Sequence, residues 1–322
     1  MLADATGAAF GVAQSFSGRR WRLREASDEA TRALSIAGIS PVLARLLAAR
    51  GVKPDALEDL LNPTLKRLMP DPLVLKDMEK AVARVCTAIA GGEKIAVFGD
   101  YDVDGSTSAA LLADFFAALG PPPRVYIPDR MKEGYGPSAA AFRTLQDEGA
   151  SLVITVDCGA AAYDAMAAAK QSGLDVIVLD HHAIERAPET FAQVNPNQPG
   201  DTSGLTYISA AGVTFLFLVA LNRSLRDTGW YSAKGIAEPD LREYLDIVAL
   251  STICDVVPLV GVNRAFVRAG LSRLSEKRRL GLSALAAIAR IDAPFTAHHC
   301  GFMLGPRINA GGRVGKSSLG VE

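Results

Sequence analysis

Three aspartates, Asp100, Asp102 and Asp104, occupy alternate positions in "VFGDYDVDGSTS" (residues 97–108), and Gly105 follows at once. Like charges this close repel, so a cation is the natural reason to gather them. The pattern D-x-D-x-D-G also opens an EF-hand calcium loop. That loop needs a bidentate Glu at its twelfth position and a helix ahead of it. Here the twelfth position is Leu111, and the preceding "KIAVFG" is a short apolar run that reads as a buried strand. The carboxylates must serve another cation chemistry. More ligand-type residues stand further along: Asp157 in "ITVDCG", and Asp180, His181 and His182 in "IVLDHH". In "LREYLDIVALSTICDVVPL", Leu241, Tyr244, Leu245, Val248, Thr252 and Asp255 share one helical face. That face is otherwise apolar, so Asp255 is carried inward, where an unpaired carboxylate is costly. Aspartates with a histidine make a hard, oxygen-rich set that suits Mn²⁺ or Mg²⁺ better than Zn²⁺. Two such ions about 4 Å apart, bridged by a carboxylate, are a common device for phosphoryl chemistry. Gly105 opens the next predicted helix, whose N-terminus can receive an anion.

These residues need a scaffold that brings distant segments to one rim. From residue 94 onward, predicted strands and helices alternate. "KIAVFG", "RVYIP", "LVITVD", "DVIVLD" and "AQVNP" read as strands. "STSAALLADFFAALG" reads as a helix with Ser106 and Thr107 near its N-cap and Gly120 beyond its end. "PSAAAFRTLQDEG" and "AAYDAMAAAKQSG" are helices, and "MEKAVARVCTAIAGGEK" ahead of the first strand is a helix ended by Gly91 and Gly92. The strands are continuously apolar rather than alternating, as in a parallel sheet covered on both faces. An α/β doubly wound, mainly parallel sheet follows. Such sheets bind ligands beyond the carboxyl ends of their strands. Asp100, Asp157 and Asp180 all stand at predicted strand ends.

The flanking regions are helical. Residues 1–75 read as a helical N-terminal module, with an apolar stripe in "SPVLARLLAARGV" and a short helix in "DALEDLLNP" closed by Asn-Pro. Within it, "RRWRLR" (residues 19–24) mixes basic and aromatic side chains. It reads either as a nucleic-acid contact or as an edge strand with Trp21 and Leu23 on its apolar face. The second half is mostly helical, in "SAAGVTFLFLVALNRSL", "PDLREYLDIVALSTIC", "NRAFVRAGLSRLSE" and "SALAAIARI". "GKS" at 315–317 mimics a Walker A loop, but the motif's first glycine falls on Ala310 and no strand precedes it.

The bulk numbers exclude several classes. The chain has 322 residues, 49% hydrophobic and 21% charged, ample for a sizeable core. No apolar run approaches the roughly 18 residues of a membrane span. The N-terminus lacks the pattern of a signal peptide. Cys86, Cys158, Cys254 and Cys300 form no CxxC pair, which argues against structural zinc or a disulfide framework and fits a reducing cytoplasm. Net charge is −1 and the pI is near 6.5, which decides nothing about nucleic acid, because an anionic metal site can mask a basic surface.

"GDYDVDG", "VDCG", "DHH" and "DVVPL" resemble, in order, the four motifs of the DHH phosphoesterase superfamily. "LLNPTLKRLMPDP", "IPDRMKEGYGPS", "VNPNQPG", "ISAAGVTF" and "GFMLGPRINAGGRVG" narrow the resemblance to its RecJ branch, the single-strand-specific 5′→3′ DNA exonucleases, from about residue 38 to the end. The resemblance implies two Mn²⁺ or Mg²⁺ ions. Asp102 and Asp157 would hold one; Asp104, Asp157, His181 and Asp255 the other, with Asp157 bridging. Asp100 would sit at the edge, as a ligand through water or as a base. Asp180 would orient a histidine, and His182 would face the scissile phosphate. Arg130, Arg307 and Arg313 would contact phosphates. It further implies release of mononucleotides from single-stranded DNA, roles in recombination and repair, and a single-strand-binding protein and a helicase as partners. It divides the chain into the N-terminal module, a catalytic domain over 76–275, and, at 276–322, the start of a connection to a DHHA1-type domain that this chain lacks. Two alternatives stand beside it: a relative acting on oligoribonucleotides or cyclic dinucleotides, and a non-catalytic DNA-binding relative. The latter kind has usually lost metal ligands, whereas here all are present.

Overall fold

The computed structural model describes residues 8–292, 294–314 and 316–321. The chain divides into two compact units between Asn62 and Pro63. In the first, α1 (Asp28–Ile36) is capped by Ser27, whose hydroxyl accepts the Ala30 N–H at 3.2 Å. Pro41 opens α2 (Pro41–Ala48), where its missing N–H costs nothing, and α3 (Leu57–Leu61) follows. Leu34, Ala44, Leu47 and Leu57 close a small core. Residues 19–24 form no strand, so the edge-strand alternative is not realised.

In the second unit, Leu65, within the short α4 (Leu65–Leu68), and Met69 pack on the main core, and Leu75 and Met78 are buried in it. Residues 63–75 therefore pack with the second unit, although the sequence places a module boundary near 75. Helix α5 (Met78–Gly91) buries Met78, Ala81, Val82, Val85 and Ala88 at helical spacing and ends on Gly92 in a left-handed cap.

The sheet has five parallel strands in the order β2-β1-β3-β4-β5: β1 (Ile95–Gly99), β2 (Arg124–Tyr126), β3 (Leu152–Val156), β4 (Asp175–Leu179) and β5 (Ala192–Val194). Strand side chains alternate between two cores. Ile95, Val97, Ile154 and Ile177 join the core that includes Leu111, Leu112 and Phe115 of α6 (Val103–Leu119) and Leu216 of α10 (Ala210–Asp227). Ala96, Phe98, Val153 and Val178 join the core with Phe142 of α8 (Ala139–Asp147) and Met166 of α9 (Tyr163–Gln171). Helices on both faces explain the continuously apolar strands. The short α7 (Arg130–Glu133) lies between β2 and α8. Beyond α10 come α11 (Trp230–Lys234), α12 (Leu245–Cys254), α13 (Gly261–Ser275), α14 (Leu280–Ile288), a π-helical stretch over His299–Leu304, and α15 (Gly305–Val314). The stretch predicted as one helix from Leu241 is a 3₁₀ turn (Leu241–Tyr244) followed by α12, with Asp255 as its C-cap. No helix among the described residues is long and apolar enough to cross a membrane.

Candidate metal centre

The strand order turns back at β1: the chain leaves it toward β2 on one side and returns to β3 on the other. Such a switch point opens a crevice beyond the carboxyl ends of the two strands. Register does the rest. Gly99 pairs with Val156 and Val156 with Leu179. The next peptide of each strand extends the ladder: Asp100 N–H donates to the Val156 carbonyl, Asp157 N–H to Leu179 and Asp180 N–H to Val194. Asp100, Asp157 and Asp180 thus stand side by side on adjacent strands, and all three are buried.

Each is set by local backbone. Asp157 adopts φ +58°, a left-handed conformation unfavourable for a side-chain-bearing residue and concentrated at functional sites. The Tyr135 hydroxyl donates to its carbonyl at 3.1 Å, and a second left-handed residue, Gly159, completes the turn. A Cβ at Gly159 would lie 2.8 Å from Thr155 Oγ1, so "VDCG" needs its glycine. At β1 the next residues turn directly into α6. Its N-cap is Asp102, whose carboxylate accepts the Gly105 N–H at 3.0 Å. Ser106 and Thr107, expected near the cap, lie inside the helix, and Thr107 donates back to the Val103 carbonyl. Gly105 serves close approach: a Cβ there would meet the Asp100 carbonyl oxygen at 2.5 Å. The expected anion site at this helix start is already supplied, because Asn309 accepts the Val103 N–H at 3.1 Å and Asp102 accepts that of Gly105.

Asp104, in the first turn of α6, is almost fully buried and accepts the N–H groups of Ala210 (2.7 Å) and Ala211 (2.8 Å) at the start of α10. The Ser251 hydroxyl of α12 also donates to it. The carboxylate thereby caps α10 from a distant segment, and the small residues of "ISAAGVTF" permit the approach. His181 Nε2 stands among three carboxylates: 3.4 Å from Asp157, 3.5 Å from Asp104 and 3.6 Å from Asp255. Asp180 is occupied elsewhere. One of its oxygens accepts the N–H groups of His181 and His182 and faces His182 Nδ1 at 2.7 Å; the other accepts the Ala160 N–H. It orients His182, not His181. Asn195 and Asn197, from "VNPNQPG", donate to the carbonyls of His182 and His181 and fix this backbone.

The electrostatics follow from this crowding. Burial and the Asp102 charge push the Asp100 carboxyl up to about 7. Burial, then Asp104 and Asp102, push Asp255 up to about 8. Asp157 is raised well above the carboxylate range, first by burial and then by Asp104 and Asp102. Burial also raises Asp104, against the pull of His181 and its hydrogen-bond donors. Burial opposes ionisation of Asp180 too, but His182 and the backbone donors bring it below the ordinary value. The hydrogen bond that His182 Nδ1–H donates to Asp180 outweighs burial and raises the imidazole to about 9.

These residues form three groups whose ligand atoms lie within 4.8 Å of one another: Asp100, Asp102 and Asp157; Asp104, His181 and Asp255; Asp157, His181 and His182. Two carboxylate oxygens, Asp100 Oδ1 and Asp255 Oδ2, are buried with no hydrogen-bond partner. Buried acceptors left this way are rare, and a cation satisfies them directly. The donor set is oxygen-rich with one inward imidazole, so it fits a hard divalent ion.

The arginines are less convergent. Arg130 lies over the Tyr101 ring at 4.7 Å and its charge acts on Asp100, while the charge of Arg313 acts on the Tyr101 phenol. Both therefore border the acidic rim. Arg307 donates to the Met303 carbonyl and lines a separate cavity of about 560 Å³ with Asp114, Leu250 and Leu280, none of which belongs to the metal groups. Tyr135 is a site residue that sequence reasoning misses. It holds the Asp157 carbonyl, and its ring meets His182 edge-on at 6.3 Å. Its only signal is its place in "EGYGPS", shortly after Arg130.

The profile of the DHH family, N-terminal domain, matches residues 94–252. The single-stranded-DNA-specific exonuclease RecJ of Salmonella typhimurium is 39% identical, over 94% of this chain and 52% of its own length. That of Bacillus subtilis is 37% identical, over 94% of this chain and 37% of its own. The chain spans about half, or less, of the length of these relatives. Among solved structures, RecJ from Thermus thermophilus in complex with Mn²⁺ superposes with a TM-score of 0.72 at 31% identity, covering 93% of this chain and 42% of that one.

Proposed function

We propose, from the premise that this chain belongs to the DHH family through residues 94–252, that it hydrolyses phosphodiester bonds of single-stranded DNA from the 5′ end with two divalent cations. The observation that carries this reading is the rim itself. Two buried carboxylate oxygens without donors and an imidazole among three carboxylates stand at a switch point of the sheet. Asp102 and Asp157 would hold one Mn²⁺ or Mg²⁺; Asp104, Asp157, His181 and Asp255 the other. When bound, the ions supply an activated water and neutralise phosphate charge. Asp100, next to Asp102, would take part through its unpartnered oxygen. His182 keeps its proton at neutral pH and is half exposed, so its imidazolium can meet charge developing on the phosphate, with Asp180 fixing the ring. Arg130 and Arg313 supply cations at the rim for neighbouring phosphates. Roles in recombination and repair, and a single-strand-binding protein and a helicase as partners, rest on the family resemblance.

Single strands labelled at the 5′ or the 3′ end, incubated with Mn²⁺, test the reading. Label released as mononucleotide from the 5′ end at early times is the expected result. Release only from oligoribonucleotides or cyclic dinucleotides would move the chain to another branch of the family. No metal-dependent hydrolysis of any of them would overturn the reading.

A further inference from the structure

The first unit carries a surface that the metal centre does not use. Residues 8–24 contain four arginines, Arg19, Arg20, Arg22 and Arg24, and no carboxylate, in a chain whose net charge is −1. All four are exposed, and among the described residues none has an ion pair. The same segment exposes three aromatic side chains: Phe10 at 71%, Phe16 at 111% and Trp21 at 61%. Exposed rings normally cost hydration free energy, and exposed arginines normally find acids. Among the described residues neither is relieved.

The backbone presents them together. Ala9 N–H donates to the Trp21 carbonyl and Ser15 N–H to the Arg19 carbonyl, both at 2.8 Å, closing residues 9–21 into a two-armed loop. The tip turns at Gly18, which has φ +74° and donates to the Ser15 carbonyl. Ala8 and Ala9 at its base are buried, whereas the arms are exposed. A loop offering exposed guanidinium groups, without ion pairs among the described residues, and open aromatic side chains matches one ligand chemistry best: a polyanion with flat, unstacked rings. Single-stranded nucleic acid has both, since bases stack on aromatic side chains and phosphates pair with arginine. An acidic peptide would satisfy the arginines but not the three rings, and duplex DNA keeps its bases inside.

We infer that the loop over residues 8–24 is a second binding site for single-stranded nucleic acid, separate in sequence from the metal centre. It stacks bases on Trp21, Phe10 and Phe16 and takes phosphates on Arg19, Arg20, Arg22 and Arg24. The choice of a DNA strand as its ligand rests on the function proposed above.

The test measures binding of a long oligothymidylate by fluorescence anisotropy across a salt series, in EDTA so that no strand is cut. Each single-strand phosphate contact contributes about 0.7 to the slope of log affinity against log salt, so replacing all four arginines with alanine should flatten it by about 3. Trp21→Ala should weaken binding about tenfold and Trp21→Phe much less, because the first removes a stacking face for a base and the second keeps one. Strand binding should also quench tryptophan fluorescence in the unaltered chain more than in Trp21→Phe. Circular dichroism checks that the variants fold. Unchanged affinity and slope in the arginine and Trp21→Ala variants would overturn the inference. So would loss of binding to phosphatidylglycerol vesicles with strand binding intact, which would mark a lipid surface. Metal-dependent hydrolysis of dinucleotides by the unaltered chain, measured alongside, tests the metal centre alone. Failure there and on 5′-labelled single strands sinks the proposed function, and failure in the anisotropy series sinks only this site.

Discussion

His182 and Asp180 show how one contact sets a side chain's charge. The 2.7 Å hydrogen bond raises the imidazole to about 9, so it is protonated at neutral pH and loses its proton only as pH rises through that value. The rate of the chemical step should therefore fall on an alkaline limb near 9. In Asp180→Asn the anion that raises the imidazole is gone, and the limb should move down toward the ordinary histidine value of about 6.5. A pH–kcat profile of the two proteins checks this; an unmoved limb would assign it to another group. His182→Ala should lower kcat by roughly 10²–10⁴ with a much smaller change in KM, because the contact develops in the transition state. Emptying of the metal centre in that variant would instead give His182 a ligand's role. The candidate residues were legible in sequence, since Asp100, Asp157, Asp180, His181 and Asp255 are all strand-end or helix-end residues of ligand type, and the structure brings them to one rim. Which histidine Asp180 serves was not legible, because adjacent residues in a turn can exchange directions without any change in pattern.

At the scale of elements, the site depends on how closely α6 approaches β1. Its third residue, Gly105, leaves no room for a methyl group against the Asp100 carbonyl. Gly105→Ala should force the helix away, destabilising the protein by about 1–3 kcal/mol, the usual cost of overpacking. It should also weaken metal binding, because Asp102 and Asp104 ride on that helix. Thermal unfolding and Mn²⁺ titration read the two effects, and unchanged values for both would show that the approach is not required. From sequence Gly105 looked like a helix opener for an anion, and α6 looked like a helix beginning at Ser106. Both readings failed because the partners of that helix end are remote: Asn309 lies 206 residues from Val103, and the amides that hold Asp104 belong to α10. Strand identity was easy by contrast, because continuous apolar runs bounded by turns are a local signal, as was the cap of α5 at Gly92. The break of the predicted 241–254 helix into a 3₁₀ turn and α12 left no mark in the apolar spacing.

For the whole molecule, gathering carboxylates is a liability that a cation relieves. Asp100 and Asp255, raised to about 7 and about 8, bind protons more tightly folded than unfolded. The unfolded chain thus holds fewer protons than the folded one between about pH 4 and pH 8, and metal-free stability should fall as pH rises across that window. Divalent ions take the place of those protons, so the rise in Tm on adding Mn²⁺ should grow with pH over the same range. A Tm gain of equal size at pH 5 and pH 8 would contradict this. The parallel sheet and its two covered faces were predictable from the alternation of strands and helices. The order β2-β1-β3-β4-β5 was not, yet that order and the register of β1, β3 and β4 are what turn three separate aspartates into one rim. Asp157 stands at its centre, in a strained backbone conformation, and belongs to two of the three ligand groups. The most direct measurement is the Mn²⁺ stoichiometry of purified protein by mass spectrometry, for the unaltered chain, Asp102→Ala and Asp157→Ala. If Asp157 is a ligand of both ions, about two per chain are expected, with mainly one lost in Asp102→Ala and both lost in Asp157→Ala; full occupancy in a folded Asp157→Ala protein would contradict the account.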